Sequence, residues 1–124
     1  MIYLDTHAVV WLYAGEAERF TSRGRELIEQ NDLLISPVVQ LELQMLREIG
    51  RIAAPPTLIV DSLEKTVGLA VCDLPFAQVI LEAIPLDWTR DPFDRVIVAQ
   101  AHARQAPLLT KDRLLRQHCD VALW

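Results

Sequence analysis

The apolar residues of the chain gather into compact runs of strand length, MIYLD, LLIS, GLAVC, PLLT and VALW, each bounded by polar residues, proline or glycine. The stretches between them carry helical periodicity. They comprise AVVWLYA up to Gly15, a polar segment around residues 22 to 30, residues 36 to 50, TLIVDSLEKTVG, Pro75 to Ile84, FDRVIVAQAHAR, and a short piece from 112 to 118. Strands alternating with helices predict an α/β fold with a mainly parallel central sheet covered by helices on both faces. A length of 124 residues fits a single domain, residues 1–124, with room for a substantial core.

The helix over residues 36 to 50 has both ends marked, by Ser36 as N-cap with Pro37 behind it and by Gly50 at its close. Val38, Val39, Leu41, Leu43, Met45, Leu46 and Ile49 project onto a broad apolar face, and Gln40, Gln44, Arg47 and Glu48 lie opposite. Glu42 falls near the middle of the apolar face. An isolated ionised carboxylate is costly there, so Glu42 must be neutral, paired with a cation such as Arg95, or bound to a metal.

Three aspartates that could meet it share a local signature, lying where an apolar run ends and polar or helix-starting residues begin. Asp5 ends the first apolar run, Asp94 lies just inside the helix that Asp91 and Pro92 open, and Asp112 follows PLLT in Thr110-Lys111-Asp112. The crevice beyond the carboxyl ends of parallel strands gathers such groups, and it predicts that Asp5, Glu42, Asp94 and Asp112 converge. Singly, each has a plainer explanation as a helix cap, a dipole partner or a strand end. Together they repel one another and call for a hard dication, Mg²⁺ or Mn²⁺, which all-oxygen ligands suit. One or two such ions activate water and neutralise a phosphodiester, so the reaction class is phosphodiester hydrolysis.

Composition narrows the setting. A hydrophobic content of 52% implies a well-filled core and an apolar surface that a partner covers, and we expect a homodimer. No apolar stretch is long enough to span a bilayer, which makes the cytoplasm the expected location. Cys72 and Cys119 are far apart and read as buried free thiols, and the scattered His7, His102 and His118 predict no histidine metal site. A net charge of −5 opposes nucleic-acid binding in general, but Arg90, Arg95, Arg104, Lys111, Arg113 and Arg116 crowd the last third, around Asp94 and Asp112. Arg95 and Lys111 are the candidates for steering phosphate.

The combination of LDTHAVVW, a helical glutamate in SPVVQLEL, DPFDRVIVAQA, and PLLTKD before a terminal VALW resembles the PIN-domain ribonucleases, specifically the VapC-type toxins of toxin–antitoxin pairs. The likeness runs nearly the whole length. It implies a three-layer α/β/α sandwich, an endoribonuclease dependent on Mg²⁺ or Mn²⁺, an RNA substrate, and a cognate small antitoxin. Carried over by position, the acidic quartet is Asp5, Glu42, Asp94 and Asp112, with Thr110 in support. Asp5 and Asp94 are then the most direct metal ligands, and Glu42 or Asp112 orients or deprotonates the attacking water. Many relatives carry an aromatic beside the glutamate where this chain reads VVQLE. Two other readings stay open: a receiver-like signalling domain, which also places acids and a threonine at strand ends around Mg²⁺, and a non-catalytic RNA- or protein-binding scaffold.

Overall fold

In the computed structural model, which describes all 124 residues, five strands form one sheet with every neighbouring pair parallel. In chain order the elements are β1 (Ile2–Leu4), α1 (Thr6–Ala14), a 3-10 turn (Ala17–Arg19), α2 (Ser22–Gln30), β2 (Leu33–Ile35), α3 (Pro37–Glu48) and α4 (Pro56–Val67). They continue with β3 (Ala70–Val71), α5 (Phe76–Ala83), α6 (Pro92–Ala103), β4 (Leu108–Leu109), α7 (Arg113–His118) and β5 (Ala122–Leu123). The strand order is β3-β2-β1-β4-β5. A receiver domain runs 2-1-3-4-5, so the topology removes the signalling alternative.

The chain moves outward from β1 to β2 and β3, then returns to the other side of β1 for β4 and β5. The reversal makes the carboxyl ends of β1 and β4 a topological switch point, where parallel sheets open a crevice. Register fixes what lies there: Leu4 pairs with Leu109, so the next residues of the two strands, Asp5 and Thr110, emerge side by side. The two central strands, β1 and β4, are fully buried. Ile2, Tyr3, Leu4, Leu108 and Leu109 expose 1% or less and form the centre of the main core with Val39 and Leu43 of α3 and Val98 of α6.

One sequence expectation changes. The apolar face of α3 is wider than its contact with the core, so Val39 and Leu43 are fully buried while Leu41, Met45 and Ile49 are 57%, 46% and 66% exposed. These three recur every fourth residue and leave an uncovered apolar stripe on the helix. Glu42 is half-buried at the rim of the core rather than in its middle. The amino end of α3 is pinned from within, since Ser36 Oγ donates to Gln100 Oε1 of α6 at 3.0 Å, both residues being buried. No helix is long and apolar enough to cross a membrane.

Leu109 exposes nothing and lies at the seam on which the switch point depends. Leu109→Ala should destabilise the fold by about 2–5 kcal/mol, read as a lower urea midpoint with an unchanged m-value.

Candidate active site

Each acid of the site is set by a local backbone device. Asp5 caps α1, accepting the Ala8 N–H on Oδ1 at 2.8 Å, and its Oδ2 accepts the Thr110 hydroxyl. Thr110 Oγ1 in turn accepts the Asp112 N–H at 3.1 Å, so a single buried hydroxyl couples the ends of β1 and β4. Asp112 caps α7 by accepting the Leu114 and Leu115 N–H groups on Oδ1 at 2.8 and 3.1 Å. Asp91 caps α6 in the same way, accepting from Phe93 and Asp94, which places the Asp94 side chain in the first turn. Glu42 is reached by Thr6, the residue after Asp5, whose hydroxyl donates to Oε1.

These groups line one open cleft of about 340 Å³ at the switch point. Asp5, Glu42, Asp94 and Asp112 all face it, as the sequence predicted, and Asp91 adds a fifth carboxylate. Trp11, His7 and Lys111 form part of the wall, with Lys111 Nζ 5.7 Å from the centre of the Trp11 ring. The ion pairs of the chain are Arg19–Glu16, Arg104–Asp73 and the contact of His102 with Asp120, so none neutralises a cleft acid. What offsets the charge in part is the positive end of three helices, α1, α6 and α7, whose amino termini Asp5, Asp91 and Asp112 cap.

Arg95 is not in the cleft. Its Nε donates to the Thr89 carbonyl at 2.8 Å and it borders a groove with Ile80, Ala83 and Ile84 of α5. One residue along a helix turns a side chain by about 100°, which carries Arg95 away from the face that Asp94 presents. Glu42 therefore has no ion-pair partner there, and the expected phosphate-steering position of Arg95 is not what the fold provides. Nothing in the sequence marks Thr6, the first residue of α1, as a carboxylate's donor. Asp91 was legible only as a cap.

The electrostatics follow from the crowding. Burial pushes Asp94 up to about 7, and the charges of Asp91, Asp112, Glu42 and Asp5 push the same way. Asp5 is also raised, by burial first, against the hydrogen bonds from Thr110 and Ala8. An all-carboxylate set that resists ionising without a cation is the donor chemistry of a hard dication, and these residues fit Mg²⁺ or Mn²⁺.

The PIN domain family model matches residues 2–121. The chain belongs to the PIN-domain family, in its VapC branch. It is 32% identical over 123 residues to Ribonuclease VapC22 of Mycobacterium tuberculosis, covering 94% of this chain and 91% of that protein. The crystal structure of VapBC2 from Rickettsia felis bound to a DNA fragment from their promoter superposes with a TM-score of 0.72 at 20% identity, over 100% of this chain and 98% of that one. The three-layer α/β architecture of this PIN domain is thus shared with a solved VapC-type fold.

The raised Asp94 carboxyl sets a pH dependence. Its folded form holds the proton more tightly than the unfolded chain, so its stabilising contribution is full below about pH 4 and is lost as pH rises through about 7. In EDTA, the melting temperature of Asp94→Asn should exceed that of wild type by a margin that grows from pH 4 to pH 8. A margin that stays flat across that range would show that Asp94 carries no such strain.

Proposed function

We propose that this VapC-type PIN domain is a metal-dependent endoribonuclease that hydrolyses RNA phosphodiester bonds as the toxin of a toxin–antitoxin pair. The observation that carries the reading is the convergence of Asp5, Glu42, Asp94 and Asp112 at the switch point with no cation paired to any of them. Asp5 and Asp94 are the residues to hold Mg²⁺ or Mn²⁺, with Glu42 and Asp112 completing the pocket. When bound, such an ion supplies charge neutralisation at the phosphodiester and a water of lowered pKa.

The chain's own groups divide the remaining work. Asp5 has both oxygens engaged, by Ala8 and Thr110, and is held in one orientation, as suits a ligand. Glu42 and Asp112 each have one oxygen tied to the protein and one uncommitted, toward Thr6 and toward the first turn of α7 respectively. That free oxygen is the one to orient the attacking water and accept its proton. Lys111 at the wall of the cleft, with the exposed Arg113 and Arg116 of α7 beside Asp112, supplies positive charge to the RNA backbone. The name of Ribonuclease VapC22 and the VapBC2 assembly support the same substrate and the same kind of antitoxin partner. The bare stripe of Leu41, Met45 and Ile49, with Phe76, Leu81 and Ile84 of α5, is the apolar surface available for the antitoxin and for a homodimer.

Labelled RNA incubated with the protein should be cut with Mg²⁺ or Mn²⁺ and left intact with EDTA or Ca²⁺; cleavage that survives EDTA would overturn the mechanism. Asp5→Asn and Asp94→Asn should each remove most activity with an unchanged circular dichroism spectrum. Thr110→Val, which leaves every acid in place but frees Asp5 from its donor, should lower the rate about 10–100-fold. Expression from the native locus with its flanking genes should yield a complex with a small protein in which cleavage is suppressed, and light scattering on the free protein should give the mass of a dimer.

A further inference from the structure

The carboxyl end of α6 carries a second cluster of metal-ligating groups that the acidic cleft does not use. His102, in the last turn of α6, faces Cys119 and Asp120 in the connection from α7 to β5. His102 Nε2 lies 3.6 Å from Cys119 Sγ and 3.8 Å from Asp120 Oδ1, and one ligand atom from each of the three residues falls within 4.8 Å of the other two. Sequence spacing hides the group, because His102 and Cys119 are 17 positions apart and meet only when β4 and β5 pair.

The distances match one coordination chemistry. Tetrahedral Zn²⁺, with bonds of about 2.3 Å to sulfur and about 2.0–2.1 Å to nitrogen, sets those two atoms about 3.6 Å apart, and a nitrogen and a carboxylate oxygen about 3.4 Å apart. The first separation is already present. Asp120, whose side chain is 92% exposed, has the freedom to swing its carboxylate into coordinating distance of the other two donors, from which it now lies within 4.8 Å. The sulfur is nearly inaccessible and the imidazole mostly covered, so two of the three donors are pre-oriented by the fold. A thiolate, an imidazole and a carboxylate form a set that Mg²⁺ disfavours and Zn²⁺ prefers.

We propose that His102, Cys119 and Asp120 form a zinc site that joins the end of α6 to the turn preceding the edge strand β5. As the ion binds, the Cys119 thiol releases its proton to solvent, the sulfur–zinc bond forms, and a water completes the tetrahedron. The site is separate from the acidic cleft. Asp94 and His102 are eight residues apart on one helix, about 12 Å along its axis, too far to share an ion. One helix thus offers a hard-ion site at its amino end and a borderline-soft one at its carboxyl end.

Cobalt distinguishes the two. Metal-free, reduced protein carrying both Asp5→Asn and Asp94→Asn, titrated with Co²⁺, should develop a sulfur-to-cobalt charge-transfer band saturating at one ion per chain, and Zn²⁺ should bleach it. Cys119→Ser should abolish the band and Cys72→Ser should retain it. Zn²⁺ should raise the melting temperature of the Asp5→Asn/Asp94→Asn protein by several degrees but not once Cys119→Ser is added. Should Cys119→Ser fail to fold, His102→Gln reads the same loss. Absence of the band at saturating Co²⁺, or a band that persists in Cys119→Ser or His102→Gln, would overturn the assignment.

Discussion

The pairing of β1 with β4 is the contact from which the site descends. Leu4 and Leu109 are fully buried partners, and their register leaves Asp5 and Thr110 as the first residues past the end of the sheet. From there a short chain of hydrogen bonds runs from the Ala8 N–H to Asp5, through the Thr110 hydroxyl, to the Asp112 backbone. A shift of one residue in that register would turn Asp5 to the other face of the sheet and break the chain of bonds. The core therefore sets the geometry of the acids, and the acids contribute charge repulsion in return.

That repulsion is contained by the placement of the acids rather than by counter-charges. Asp5, Asp91 and Asp112 each stand at a helix amino terminus, where orphan N–H groups and the helix dipole favour negative charge. Asp94 and Glu42 stand in a helix and receive less of this support. Asp94, without a donor of its own, has its carboxyl raised to about 7, by burial first and by the neighbouring acids after it, while the buried Thr6 donates to Glu42. The helices that carry Glu42 and Asp94, α3 and α6, are tied to each other by the buried bond from Ser36 to Gln100.

The elements were legible in the sequence because short buried strands and capped helices carry strong local signals. MIYLD, LLIS and PLLT are compact apolar runs bounded by polar residues or proline, and Ser36, Asp91 and Asp112 marked helix starts that the fold uses as such. The convergence of Asp5, Asp94 and Asp112 followed from their position at the carboxyl ends of strands and the starts of helices, and Glu42 was marked by its place on the apolar face of α3. What local pattern could not give was direction around a helix axis and contact across the fold. Arg95 turned away from its neighbour Asp94, three of the seven apolar-face residues of α3 stayed in solvent, and His102 met Cys119 through the pairing of β4 with β5. The 3-10 turn Ala17–Arg19 has too little periodicity to be read at all.

Because Asp5, Asp91 and Asp112 double as helix caps, exchange for asparagine keeps a capping oxygen in place while removing the charge. A one-atom change can thus silence the site while leaving the fold intact, and in the metal-free state it relieves repulsion as well. Thermodynamic stability offers no protection for the chemistry of this protein and mildly opposes it. Drift toward inactive but well-folded copies is downhill, and only continued selection on the reaction itself holds the acids in place.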